Sequence, residues 1–451
     1  MKISFFLDQE RMSFVVDLSD IHDKEASIIL DKFTVKGKKD TYNPDPITAE
    51  CFVVKGGNVH LPLGRWREYY KEFPNKGRFD RTTYTFTKQL LTKETDPSGR
   101  KRDQDLVIKE AMKKLKRDHV VFISCFTGFG KSCCLSYITA SLGLKTVIIC
   151  HISEVNKQWK TKTYSTFTNA KVQLVKGKTL DPDADVYVMG IRKAANMNSS
   201  VFKNIGIVAI DEAHIATITA FTETLTKFTP KYLIGLSATP DRRDGLDKLI
   251  HLYFGQAKNY IIREEIKKFV VVKYTMKYIP IISYTYAPNG NLIPNWVEMV
   301  NSIQYNKDYQ KEVVGIARNH PQDIILILFN RKKPIYDVHE ALENLGESVD
   351  YLADKKDKWN RHSRILVAGP KKVGVGFDWK HLTMIIIAYD TRDVRQIEGR
   401  ARRLNCTIYD IVCNYSTFEK HWDIHEKWYT KRGATIRYEG YTKPKPVRRL
   451  K

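Results

Sequence analysis

The segment Cys125-Phe126-Thr127-Gly128-Phe129-Gly130-Lys131-Ser132 constrains this chain more than any other. A mostly apolar run, Val120 to Ile123, leads into it and a helical pattern follows, so the spacing predicts strand, glycine-bearing turn, Lys-Ser, helix. That is the layout of a phosphate-binding loop. Gly128 and Gly130 let backbone N–H groups come close to phosphate oxygens, with Thr127 and Phe129 in the same turn. Lys131 can reach the β- and γ-phosphates of a nucleotide, and the Ser132 hydroxyl can ligate Mg²⁺. The strict pattern asks for a glycine five residues before Gly130, where Cys125 stands. Taken alone, the residues leave room for an ordinary strand-to-helix turn in an α/β protein.

The chain's 451 residues are enough for two or three domains. Apolar residues make up 42% of it, which supports well-formed cores and argues against wholesale disorder. No stretch approaches the roughly 18 to 20 apolar residues of a membrane span. The N-terminus turns acidic at Asp8 and Glu10, unlike a secretory signal. The seven cysteines, at 51, 125, 133, 134, 150, 406 and 413, are odd in number and lack CxxC spacing. A reducing compartment with neither disulfides nor a zinc site is expected. The formal net charge is +24, an imbalance best explained by a polyanionic partner, nucleic acid above all. The competing explanation is solubility.

Residues 1–94 are rich in Lys, Phe and Tyr, with strand-like runs such as Cys51-Phe52-Val53-Val54, and read as a small α+β or mostly β accessory domain that binds DNA or a partner. Thr95 to Arg102 reads as a linker. Over 103–255, apolar runs at 120–125, 146–150, 186–189, 205–210 and 232–236 alternate with helical patterns. Fully apolar strands with intervening helices predict a parallel sheet covered on both faces. Residues 256–310 break the rhythm with mixed strand-like runs, Phe269–Tyr274 and Tyr278–Tyr286, and are expected to be a connector with an Asn-Gly turn at 289–290. The alternation resumes over 311–430, with strands expected at 324–329, 365–368, 384–388 and 407–413. The expected architecture is therefore α/β, with two tandem parallel-sheet lobes, the first carrying the phosphate loop. From Lys431 to 451 the chain holds eight Lys or Arg against Glu439 alone, and Pro444 and Pro446 predict an extended basic tail.

Asp211-Glu212-Ala213-His214 follows the apolar run 205–210. A carboxylate at the C-terminal end of such a strand faces the same crevice as the phosphate loop. Asp211 can hold Mg²⁺ through water, and Glu212 can orient and deprotonate an attacking water. The alternative is an acidic turn that caps the next helix.

Together the two segments resemble the Walker A and DEAH-box motifs of superfamily 2 helicases. That family's loop, AxxGxGK[ST], requires only a small residue where Cys125 stands. Further matches occur in the family's order. Gln104 resembles the adenine-reading glutamine. Gln158-Trp159 is similar to motif Ia, and Ser237-Ala238-Thr239-Pro240 to motif III. Gly374-Val375-Gly376-Phe377-Asp378 resembles motif V, and Gln396-Ile397-Glu398-Gly399-Arg400-Ala401-Arg402-Arg403 fits the QxxGRxxR pattern of motif VI.

This resemblance spans residues 103 to 415 and implies two RecA-like lobes, ATP with Mg²⁺, and nucleic acid as partner. It implies that Gln104, Gly376, Asp378 and Gln396 line the nucleotide site. Ser237, Thr239 and His214 would pass on the nucleotide state. Arg400 and Arg403 would reach the γ-phosphate as arginine fingers, while Arg402 faces solvent or nucleic acid. Arg242-Arg243-Asp244-Gly245-Leu246 after motif III looks like the XPB-like and UvsW-like DNA translocases, and the transcript-release helicases of poxviruses and other large DNA viruses are similar. That placement favours DNA over RNA. It suggests a monomer working in transcription, recombination or repair, with RNA polymerase as a candidate partner, in the nucleus or, for a viral chain, in a cytoplasmic replication site or virion. Two positions depart from the family pattern. Ala368-Gly369-Pro370 replaces the hydroxyl residue that usually opens motif V, and the residues before Gln104 lack the usual Pro-Tyr. Residues 1–94 match no nameable module.

Overall fold

The computed structural model describes residues 5–7, 13–17, 23–37, 48–55, 58–68, 71–73, 77–92, 102–151, 153–213, 218–225, 227–238, 247–256, 260–264, 268–287, 290–373, 377, 379, 381–400 and 406–442. The chain folds as two compact units, residues 1–264 and 265–451.

The first unit is built on a seven-stranded sheet in the order Ile261–Arg263, Val120–Cys125, Tyr232–Ser237, Ile207–Ile210, Thr146–Cys150, Val186–Gly190, Val172–Leu174. Every pairing in it is parallel. The inner strands are buried along their whole length, which is why they read as unbroken apolar runs rather than as alternation. Helices fill the crossovers. Gln104–Asp118 buries Val107, Ile108, Ala111 and Leu115 on one stripe and ends at His119 in the left-handed region.

The N-terminal region is mostly strands. Phe5–Leu7, Ser13–Asp17, Asn58–Pro62 and Val53–Lys55 form an antiparallel sheet in that order, and Thr34–Lys36 pairs with Thr48–Glu50. It is not packed as a self-contained domain over 1–94. Phe33, Val35, Cys51, Leu61 and Trp66 share one core with Phe122, Leu249 and Tyr253, and the Trp66 indole N–H donates to Asp118 O at 2.8 Å. Residues 77–92 lie along the parallel-sheet layer, bridging Arg81 to Leu144 and Phe86 to Thr168. A segment this short buries too little surface alone to hold together, so it borrows a larger core.

The second unit repeats the plan. Its strands run Val349–Leu352, Ile365–Ala368, Ile325–Leu328, Met384–Ile387, Thr407–Cys413, Phe269–Met276, Ala434–Gly440, again all parallel. Two expected boundaries move. The stretch 256–310 is no mere connector, because Ile261–Arg263 closes one edge of the first sheet and Phe269–Met276 is an interior strand of the second. Nor does a loose tail begin at Lys431. Ala434–Gly440 is the edge strand, with Ala434 and Ile436 packed on the core and Thr435 and residues 437–440 exposed. Its charges mask it in the sequence, yet they suit an edge facing water. Pro444, Pro446 and the residues after 442 lie outside the described set. Among the described residues, no helix is long and apolar enough to cross a membrane.

The shared core has a mechanical test. A Cβ added at Gly64 would sit 2.0 Å from the Tyr253 carbonyl oxygen. Gly64→Ala is expected to lower stability by about 1–3 kcal/mol, read as a fall in the denaturant midpoint of the first unit. An unchanged midpoint would mean that this region does not brace the sheet layer.

Candidate functional site

In the first sheet, Gly235 stands opposite both Phe122 and Ile210, and Ser237 opposite Ser124. The phosphate loop leaves its strand after Cys125. Asp211 leaves the strand two places away, its own N–H donating to Ile149 O at 2.9 Å. Loop, carboxylate pair and the buried Ser237 therefore depart from the same carboxyl edge of the sheet, where ligands of open α/β sheets bind.

The loop is held from behind. Gly128 and Gly130 have φ of 85° and 98°, a backbone region that side chains rarely enter. Gly130 is constrained further, because a Cβ there would fall 2.3 Å from Gln104 Nε2. Gln104 is 2% exposed, its Nε2 donates to Phe129 O at 3.0 Å, and its Oε1 accepts the Leu91 N–H at 2.9 Å. The residue expected to read adenine thus has both ends of its amide on backbone, one of them in the loop. Phe129 is buried edge-to-face on Phe126 with centroids 5.3 Å apart, so it offers a ligand only its backbone. Lys131 donates to Cys125 O at 2.9 Å. Burial pushes the Cys125 thiol up to about 12, with Lys131 pulling against it, so Cys125 acts as a small apolar residue. Thr127 and Ser132 are partly exposed. The helix Lys131–Leu142 starts after Gly130 with no side-chain cap, leaving its first N–H groups to an incoming anion.

Asp211 has a donor on each oxygen. The Trp159 indole N–H gives 2.8 Å to Oδ2 and the Glu212 N–H 3.0 Å to Oδ1. Burial and the neighbouring Glu212 carboxylate raise its pKa, while Trp159 and Lys131 hold it down, so the loop lysine and this carboxylate feel one another. Glu212 sits at φ 49°, a backbone cost of about 1–2 kcal/mol for a residue with a side chain. Such strain aims a side chain that relaxed backbone would point elsewhere. The alternative reading of this pair as a helix cap does not describe Asp211, whose oxygens are engaged by Trp159 and Glu212. Among the described residues, no cluster of three or more His, Cys, Asp or Glu side chains could hold a metal by itself. One hydroxyl (Ser132) and one carboxylate (Asp211) beside a cradle for phosphate is instead a donor set that fits Mg²⁺ carried in on a nucleotide.

In the second unit, Arg400 donates to Phe377 O at 2.9 Å, joining the motif VI segment to the motif V segment. Arg395–Glu398 is a single helical turn. Glu398 is 1% exposed and pairs with Arg432, Nε to Oε2 at 3.2 Å. Behind it, Asp410 accepts from His425 Nδ1 at 2.9 Å and from the Tyr429 hydroxyl at 3.0 Å, and His425 Nε2 meets Thr391 O at 2.8 Å. Burial lowers the His425 pKa, but Asp410 outweighs it and the net direction is upward. His214, Thr239, Gly376, Asp378, Arg402 and Arg403 lie outside the described residues, as do Arg242 to Leu246 and the side chain of Gln396. The structure thus gathers Thr127 to Ser132, Gln104, Asp211, Glu212 and Ser237 in one unit and places Arg400 in the other. Reading the sequence missed Trp159 as the partner of Asp211, and Arg432 as that of Glu398. No spacing rule links a residue to a partner some fifty or thirty positions away.

The family model for the type III restriction enzyme res subunit matches residues 100–242. Over 412 residues the chain is 28% identical to "Putative helicase 161L" of Invertebrate iridescent virus 6, covering 84% of this chain and 89% of that one. It is 23% identical over 457 residues to "Putative ATP-dependent RNA helicase L396" of Acanthamoeba polyphaga mimivirus, covering 94% and 85%. Among solved structures, S. cerevisiae Dbp5 bound to RNA and ADP BeF3 aligns at TM-score 0.52 and 13% identity, over 74% of this chain and 89% of that one. This last likeness shows a shared fold, two RecA-like lobes. The resemblance to superfamily 2 helicases is thus carried by motifs and by similarity to viral proteins named as putative helicases, and it supports a nucleotide-hydrolysing enzyme.

Gln104→Ala should separate bracing from base reading. Losing its backbone hydrogen bonds, about 1–2 kcal/mol, should raise the KM for ATP about ten-fold and raise that for GTP equally. A loss confined to ATP would return Gln104 to the adenine.

Proposed function

We propose that this chain is an ATP-dependent DNA helicase or translocase, with the first unit holding and hydrolysing the nucleotide. The observation that carries the proposal is the joint placement of the glycine cradle, Lys131 and the Asp211–Glu212 pair at one sheet edge. In this reading the loop N–H groups, Thr127 and Lys131 bind the phosphates of ATP. Ser132 and Asp211 would hold Mg²⁺, whose contribution is to neutralise charge on the β- and γ-phosphates. Glu212 orients a water and takes its proton. Ser237, Thr239 and His214 pass the nucleotide state onward. Gly376, Asp378 and Gln396 contribute from the second unit, where Arg400 and Arg403 act on the γ-phosphate with permanently charged, forked donors. Movement along the strand then follows from the nucleotide-dependent closing and reopening of the enzyme.

The +24 charge supports a backbone-gripping mode with weak sequence preference and strong salt dependence. DNA is preferred because DEAH and the Arg-Arg-Asp-Gly segment resemble DNA translocases. An RNA substrate is the second reading, favoured by the mimivirus relative, which is named as a putative RNA helicase. A monomer acting in transcript release or recombination, with RNA polymerase as a partner, fits the same resemblance, and so do the basic residues from Arg437 onward as an added contact to the strand.

ATPase and strand-displacement assays across single-stranded, duplex, forked and RNA–DNA hybrid substrates test the reading. Stimulation by RNA alone would replace DNA in it. Lys131→Ala and Glu212→Gln should each lower turnover by at least about 100-fold, with Glu212→Gln still binding ATP and nucleic acid. A Glu212→Gln enzyme that retains turnover would remove the assigned base.

A further inference from the structure

The stretch after Cys150 contains a device that the nucleotide site does not by itself require. A short helix, Ser153–Gln158, runs directly into a π-helical turn, Trp159–Tyr164. π turns are rare and gather at functional places. Trp159, the first residue of the turn, is 2% exposed and donates its indole N–H to Asp211 Oδ2 at 2.8 Å. Tyr164, the last, is fully buried, and its hydroxyl lies 2.9 Å from Thr139 Oγ1. Thr139 belongs to Lys131–Leu142, the helix that the phosphate loop opens. The turn therefore ties the carboxylate at one end to the loop's helix at the other.

The π geometry is what makes both ties possible. In an α-helix, residues five apart point about 140° away from each other. Hydrogen bonding from i to i+5 widens the turn and brings such residues back to one face. In this form Trp159 and Tyr164 both face inward. The outward face is formed by Lys157, Lys160, Thr161 and Lys162, all exposed, and no carboxylate occurs from Val155 to Lys171. That face suits a polyanionic strand and repels none of its phosphates.

We propose that Trp159 is a positioning residue, and that the π turn relays contact between a nucleic-acid strand and its lysine face to the Asp211 carboxylate. A strand pressing on the outer face shifts the turn. The indole N–H moves with it and resets Asp211 relative to the phosphate loop, so occupancy of the strand is felt as readiness to hydrolyse. This rests on the nucleotide-site reading above and deepens it.

The test uses the full chain and measures Mg²⁺-dependent ATPase with and without poly(dT) or poly(U), alongside the strand's Kd. Wild type without Mg²⁺-dependent ATPase would sink the nucleotide-site reading itself. Given an active wild type, Trp159→Phe keeps a ring but loses the donor. The Mg²⁺ concentration for half-maximal turnover should rise about ten-fold and strand stimulation should fall by a similar factor, as expected for one lost hydrogen bond to a charged group. The strand's Kd should hold. Wild-type Mg²⁺ dependence and stimulation in this variant overturn the proposal, as does a stimulation lost only in step with strand affinity. Should Trp159→Phe fail to fold, Tyr164→Phe reads the same turn from its other end by deleting one hydroxyl. A raised Mg²⁺ requirement with weakened stimulation supports the relay, and wild-type values overturn it.

Discussion

Parallel register is the constraint on which the rest of the first unit depends. Because Gly235 is level with both Phe122 and Ile210 and all three strands run parallel, three neighbouring strands end on the same edge of the sheet. A phosphate cradle and a carboxylate pair about eighty residues apart in sequence then become neighbours without any loop reaching for the other. Antiparallel pairing of any one strand would send its functional end to the far side of the sheet. The fully buried strands make such a change costly, since parallel pairing needs covered faces and these faces are covered.

On that scaffold, buried polar side chains set the finer geometry. Gln104 fills the space a Gly130 side chain would take and ties the loop to Leu91. Trp159 holds Asp211. In the second unit, Arg432 holds Glu398, and His425 carries Asp410 to the backbone at Thr391. Each is a satisfied donor–acceptor pair in a dry place, where leaving one partner alone costs far more than the pair contributes. Positions chosen this way are stiff, which is what a site that must distinguish nucleotide states needs. The strained backbone at Glu212 belongs to the same economy, with tolerated strain at the residue that must point at the chemistry.

Most of the architecture was legible because its strands are simple. Unbroken apolar runs at 120–125, 146–150, 232–236, 365–368 and 384–388 can only be buried strands when helical patterns separate them. The edges were less legible. Ala434–Gly440 carries Arg437 and Glu439 and looks like a solvated tail, since an edge strand with one wet side has no apolar run to announce it. Phe269–Met276 sits in a stretch whose rhythm is broken by a hairpin, Tyr284–Tyr286 with Leu292–Pro294, and so passed for a connector. The N-terminal strands were seen, but their dependence on the core around Phe122 was not, because shared burial leaves no local mark.

The residue sequence alone determined the chemistry on offer: a glycine cradle with Lys131 and Ser132, a carboxylate pair after an apolar run, an arginine-rich segment over 395–403, and a large positive charge. These follow from residue type and short-range spacing, which one-dimensional patterns express directly. Tertiary structure alone decided what those groups lean on. Gln104, expected at the adenine, has its amide on the backbone of Leu91 and Phe129, Trp159 became the partner of Asp211, and Arg432 that of Glu398. The reason is physical: a buried hydrogen bond is selected by three-dimensional proximity and by the cost of leaving its partner dry and alone, and neither is written in the order of the chain.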